Sequence, residues 1–233
     1  MDFDFIRTYI PMYVEAAQLT MKIAIQGILL STVVGFVCCL IRYYKVPIIQ
    51  RIVGLYIELS RNTPLLIQLF FLYFGLPKLG IVLSSEVCGV LGLTFLGGSY
   101  MAEAFRSGLE AIPVIQTEAG LSLGLTKWQV LKYIVLPQAA VVSLPAFSAN
   151  TIFLIKETSV FSVVALADLM YVAKGLIGLY YKTDESLMML VVSYLLLLLP
   201  ISLFLSFLEA SLSTTSQSIF AETSASLTTR SLF

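Results

Sequence analysis

Between residues 187 and 208 the chain runs the width of a bilayer without one charged side chain, through Tyr194-Leu195-Leu196-Leu197-Leu198-Leu199-Pro200. A helix crosses the hydrocarbon core with roughly 20 mostly apolar residues, so this stretch reads as a membrane span. Stretches at about 19–41, 52–76, 88–105 and 133–155 qualify in the same way. Composition agrees: the chain is 58% hydrophobic and only 12% charged, where a soluble domain carries roughly 25% charged residues. The expected fold is therefore an all-α polytopic membrane protein with about five transmembrane helices. The span at 88–105 is diluted by Gly89, Gly92, Gly97 and Gly98. Small residues allow close helix–helix approach in lipid, which places that helix inside a bundle.

The remaining polar chemistry is sparse. Fourteen basic and 14 acidic residues cancel, which gives no reason to expect a nucleic-acid partner. Histidine is absent, and with it the commonest general base and metal ligand. Cys38, Cys39 and Cys88 have neither zinc nor redox spacing and read as packing residues. No catalytic or metal constellation is expected. The start, Met1-Asp2-Phe3-Asp4, lacks a basic n-region, so the first span reads as a retained insertion signal.

Arg42, Lys45 and Arg51 follow the first span without an acid among them, which puts that connection on the cytoplasmic side. Five spans then leave the N-terminus outside and the C-terminus inside, with residues 156–186 facing outward. The expected membrane domain covers 1–210. The Ser/Thr/Ala-rich stretch 211–233 reads as a flexible tail.

Between the third and fourth spans, residues 113–131 are too polar and too interrupted to cross. Gly124 breaks the stretch into two short helices, and Thr126 with Gln129 forms a capping-box pattern for the second. Trp128 and Leu131 are expected to present an apolar face. Physically, such a helix either rests on lipid headgroups or docks into a groove on a cytosolic partner.

Glu118-Ala119-Gly120, then Gly124, then Ile134-Val135-Leu136-Pro137 resembles, without a gap, the EAA loop of ABC-transporter permeases. Gly120 stands where the family usually has a second alanine. The resemblance implies that Glu118, Ala119, Gly120, Gly124 and Trp128 couple the chain to a pair of cytosolic ATP-binding subunits. ATP would then be hydrolysed on that partner, with no cofactor bound here. Consistently, the sequence has no GxxxxGK[ST] phosphate loop. A second permease subunit, identical or paralogous, and an extracellular or periplasmic substrate-binding protein are also implied. The implied location is the bacterial cytoplasmic membrane.

Further segments are similar to the polar-amino-acid branch of that family: Glu58-Leu59-Ser60-Arg61-Asn62-Thr63-Pro64 through Gln68, Ser99-Tyr100-Met101-Ala102-Glu103-Ala104-Phe105-Arg106, Leu136-Pro137-Gln138-Ala139 and Lys156-Glu157-Thr158-Ser159. Departures are Ile115, where a glycine is common, and Glu157, which replaces the usual Asp. Glu58 and Arg61 are three apart and share a helix face. Charges at membrane depth normally face the bundle interior and pair with one another or with a ligand. Here they either lock helices together or line a path. Asn62-Thr63-Pro64 is expected to restart the helix, with Thr63 as cap and Pro64 in the first turn. A zwitterion needs a cation and an acceptor. Lys156 with Thr158 supplies the first and Glu58 the second, with Glu157 left for a polar or cationic side chain and Gln68 as a further lining residue. Lys156 and Glu157 also fit a role as snorkelling interface residues, and Glu103 with Arg106 fits a structural role beside the loop. The expected function is import of a polar amino acid by alternating access. The alternatives are another small solute (cystine or an opine), or an ATP-independent channel or carrier.

Overall fold

The computed structural model describes residues 1–230, with side chains described to residue 212. The flexibility expected of 211–233 falls, from residue 213 onward, outside that side-chain description. Helices dominate in chain order: α1 (Phe3–Tyr43), α2 (Ile49–Arg61), α3 (Leu65–Phe70), α4 (Ser85–Glu110), α5 (Val114–Ser122), α6 (Lys127–Val130), α7 (Leu136–Glu157), α8 (Leu169–Tyr180) and α9 (Thr183–Arg230). Four helical stretches are long and apolar enough to cross a membrane: Phe3–Tyr43, Ser85–Glu110, Lys127–Val164 and Thr183–Leu212. The span expected at 52–76 is not one helix. It is divided at Asn62-Thr63-Pro64 into α2 and α3, and α3 continues through a π turn (Phe71–Gly75) and a 3₁₀ turn (Leu76–Leu79).

Two prolines explain where the helices widen. Pro77 and Pro137 have no N–H to give, and each ring crowds the carbonyl four residues before it. In both cases the chain responds with a π turn centred on that carbonyl, at Phe71–Gly75 and at Leu131–Val135. Leu76 N–H bonds to Phe71 O and Leu136 N–H to Leu131 O. Such local adjustment re-satisfies backbone groups that lipid cannot.

The chain forms two compact units. The first, Met1–Glu103 with Ala149–Pro200, contains the core around α1, α8 and α9, where Tyr13, Ala16, Leu169, Val172 and Leu190 are buried together. Asp2 caps α1 by accepting from Phe5 N–H (3.0 Å), and Lys182 binds its other oxygen at 3.0 Å. Asp168 caps α8 from a buried position, with Oδ1 accepting from Tyr171 N–H at 2.9 Å. Its Oδ2 has no partner, and burial pushes the carboxyl up to about 6. The glycine-diluted helix α4 is the most enclosed candidate span, 61% buried against 11% for the most apolar one. Gly97 shows why: a Cβ there would sit 2.7 Å from Leu154 and closer still to Ser31. Ser31 Oγ instead donates to Leu93 O at 3.0 Å.

The second unit, Ala104–Ser148 with the chain from Ile201 onward, carries α5, α6 and the π turn that follows α6.

Candidate functional site

The break between α2 and α3 is built from side chains that take over lost backbone bonds. Pro64 is itself the N-cap residue of α3, and its carbonyl accepts from Ile67 N–H at 3.0 Å. Thr63 does not cap α3 as expected. Its hydroxyl donates back to Leu59 O at 2.8 Å, the usual choice for a threonine at a helix end. Asn62 Nδ2 donates to Glu58 O at 2.7 Å and to Glu58 Oε2 at 3.3 Å. Gln68 Nε2 closes the break from the other side, donating to Thr63 O (2.9 Å) and Ser60 O (3.2 Å). Gln68 is therefore buried in the joint, and its Oε1 has no partner.

Beside this break lies a cavity of about 300 Å³ within the first unit. Arg61, Asn62, Thr63 and Pro64 line one side, Tyr100 on α4 a second, and Phe153 with Glu157 on α7 a third. The Arg61 guanidinium lies over the Tyr100 ring, 5.2 Å from its centroid, a cation–π contact. Tyr100 in turn packs on Phe153, with centroids 5.1 Å apart. Asn150 Nδ2 donates to Tyr100 O at 3.1 Å, which ties α7 to α4 at this level. The cavity thus holds a cation and a carboxylate on different walls, with two aromatic faces between them.

Arg61, Thr63 and Glu157 come together here; the other expected residues do not. Glu58 does not line this cavity and makes no ion pair with Arg61. Lys156 is exposed and lines a different cavity, of about 400 Å³, with Ser159, Met170 and Tyr194. Successive helix residues are about 100° apart, so Lys156 and Glu157 face different neighbours. Thr158 is buried, and its hydroxyl donates to Ile155 O at 2.7 Å. Tyr100, Asn62 and Phe153 were not singled out from the sequence. Tyr100 lay within a recognised segment, four residues before Glu103's neighbour Ala104, but the register of α4 against α2 is a tertiary fact. Farther along α4, Glu103 binds Arg42 of α1 at 2.6 Å, and Arg106 pairs with Glu110 at 2.5 Å, in keeping with structural roles.

The loop at 113–131 folds as two short helices joined at Gly124, whose φ of +81° favours glycine. Leu125 N–H bonds to Gly120 O (3.2 Å) and Gly124 N–H to Leu121 O (3.0 Å), closing α5 with a Schellman turn. Thr126 and Gln129 form the expected capping box, with Thr126 N–H donating to Gln129 Oε1 at 2.8 Å. Trp128 is 54% exposed and Leu123 81% exposed. Leu131 departs from expectation: it is fully buried, although its N–H bonds back to Lys127 O and Trp128 O in ordinary helical fashion. Gly120 is buried as well, and a Cβ on it would lie 2.8 Å from both Val130 and Ile134. That contact accounts for a residue smaller than alanine at this position.

A family model described as "Binding-protein-dependent transport system inner membrane component" matches residues 27–214. The chain belongs to this family. As an inner-membrane component of binding-protein-dependent transport, it is a multi-pass subunit of an ABC importer. Its relatives include the probable amino-acid ABC transporter permease protein PatM of Vibrio harveyi, 35% identical over 172 residues that make up 72% of this chain and 77% of that one. The glutamine transport system permease protein GlnP of Escherichia coli K12 is 31% identical over 202 residues, covering 86% and 92% of the two chains. Among solved structures, an amino acid ABC transporter crystallised with histidines superposes with a TM-score of 0.84 at 30% identity, covering 91% of this permease and 99% of that chain. An inward-facing MetNI methionine ABC transporter shares the fold, with a TM-score of 0.74 at 18% identity over 86% of this chain and 96% of that one.

Proposed function

We propose that the permease moves polar amino acids inward by alternating access, and that the cavity beside the α2–α3 break is its substrate site. The opposition of Arg61 and Glu157 within that one cavity carries the reading. The guanidinium offers a planar pair of donors to an α-carboxylate, and Glu157 accepts from the α-ammonium. Tyr100 and Phe153 flank the side chain, and the opening amides of α3, at Leu65 and Leu66, stand at a helix start where no intrahelical partner exists. This assignment moves the ammonium acceptor from Glu58 to Glu157 and leaves Lys156 outside the cavity. The names of the relatives support the substrate class.

The energy comes from outside the chain. The helices at 113–131 dock, through the exposed Trp128 and Leu123, into a cleft of a cytosolic ATP-binding subunit that hydrolyses ATP. Glu118, Ala119, Gly120 and Gly124 give that segment its shape. Two permease subunits and two ATPases form the working assembly, and an external binding protein delivers substrate. The N-terminus lies outside and the C-terminus inside.

The test uses the transporter assembled with its ATPase and binding protein in liposomes. Arg61→Met and Glu157→Gln are each expected to abolish substrate-stimulated ATP hydrolysis while leaving assembly and basal hydrolysis intact. Lys156→Met should retain most of the stimulation. Full stimulation in both cavity variants would remove the assignment.

A further inference from the structure

A second cavity of the first unit, about 860 Å³, takes no part in the path proposed above. Its walls are aliphatic and aromatic: Val34 and Cys38 from α1, Ile52 and Tyr56 from α2, Phe95 from α4, and Phe71 beyond α3. The hydroxyls along it are already engaged. Tyr56 donates to Phe95 O at 2.7 Å and Thr94 to Val90 O at 2.7 Å. Apart from Gln68 Oε1, a lone acceptor without a partner, the lining is apolar or already bonded, so the groove suits a hydrocarbon chain better than a polar solute.

Its dimensions and its mouth indicate the occupant. The groove runs beside α2, which rises roughly 14 Å from Ile52 to Arg61 at about 1.5 Å per residue, and Thr63 lines it just past the helix end. One leaflet of hydrocarbon is roughly 15 Å deep, half of a core of about 30 Å. The wall starts immediately after Arg51. Arg51 and Lys45 are both exposed, and neither has an ion-pair partner among the described residues, whereas Arg42 is engaged by Glu103. No acid occurs between residues 40 and 57. Tyr43 and Tyr44 are exposed at the same connection, ring edge to ring face at 5.4 Å, and tyrosine favours the headgroup level.

We infer that this groove is a lipid site: one acyl chain of an anionic phospholipid lies along α2, and its phosphate rests on Lys45 and Arg51. The uncompensated positive charge at the mouth selects an anion, which a second copy of this same basic face does not bring. The site is independent of the substrate cavity, since the two share only Thr63.

The experiment titrates the complete transporter, purified in a zwitterionic detergent, with phosphatidylglycerol and with phosphatidylcholine of identical chains, and reads bound lipid by native mass spectrometry. A phosphatidylglycerol carrying a photoreactive group in its acyl chain then maps the contact. Wild type should retain phosphatidylglycerol in preference, with labelling on residues 52–72. Each basic residue near the surface is worth roughly a fivefold preference, so Lys45→Ala with Arg51→Ala should weaken retention at least tenfold and erase the headgroup preference. Ile52→Trp, at an exposed position that does not threaten folding, should cut acyl labelling for both lipids. Equal retention by wild type and the double variant overturns the proposal, as does labelling elsewhere. An Ile52→Cys disulfide between two copies assigns the groove to the partner and overturns it too.

Discussion

Gln68 donates both amide hydrogens across the gap between α2 and α3, to Thr63 O at 2.9 Å and Ser60 O at 3.2 Å. These carbonyls belong to the turn that Pro64 interrupts, and no backbone N–H is left to reach them. In a membrane no water replaces the lost donors, so one side chain holds the bend that shapes the Arg61 wall of the cavity.

Gln68→Leu keeps the volume and removes the donors. Two carbonyls then lose their partner, at roughly 1–3 kcal/mol for an unsatisfied buried group. The expected result is a lower thermal unfolding midpoint in detergent, with a weakened response to substrate. A midpoint equal to wild type would show that the break stands without the amide.

Gly120 sits 2.8 Å, measured from an ideal Cβ, from the ends of Val130 and Ile134. Ile134 Cδ1 can swing away, but the β-branched Val130 is stiff at χ1, so Gly120→Ala should fold with a modest loss. Gly120→Leu overfills the joint between α5 and the π turn and should cost about 1–3 kcal/mol, read as a lower midpoint and poorer recovery of the ATPase-bound complex.

Trp128→Asp separates docking from folding. The side chain is largely exposed, and surface changes of this kind alter stability by about 0.5 kcal/mol or less. The unfolding midpoint should stay put while the ATP-binding subunit no longer co-purifies. Loss of both together would make Trp128 a packing residue.

Asp168 gives the stability a pH dependence of definite sign. Burial raises its carboxyl to about 6 from an ordinary 3.8, so the folded chain holds the proton more tightly than the unfolded chain. Between those values the folded state binds more protons, and stability falls as pH rises. The loss is on the order of 3 kcal/mol by about pH 7, at about 1.4 kcal/mol per tenfold change. Asp168→Asn keeps a side-chain oxygen for Tyr171 N–H and cannot ionise. Its midpoint should change less than that of wild type from pH 4 to pH 7, and identical profiles would exclude Asp168 as the source.

Much of this structure is local and therefore readable from the chain. The apolar stretches, the glycine turn at 124, the capping box at Thr126–Gln129 and the close packing of α4 each follow from residues within a few positions of one another. What stayed hidden depends on phase and partners. Pro64 marked a helix restart, but only the finished break shows Gln68 serving it and Thr63 bonding backward. Leu131 follows Trp128 by three residues in ordinary helical geometry, yet one is buried and the other exposed, a difference set by tertiary packing. Lys156 and Glu157, adjacent in sequence, are both expected at one substrate, yet they line different cavities. The facing of Arg61, Tyr100 and Glu157 depends on three helices meeting, and no spacing within one segment encodes it.

That divergence of Lys156 and Glu157 bears on how such a subunit can be altered. Two adjacent codons address two separate compartments, one beside Arg61 and one beside Tyr194. Changes in ligand preference can accumulate at residue 157 without disturbing the α9-facing compartment at 156. A laboratory selection for new cargo should therefore yield variants at the second of these positions while leaving the first untouched.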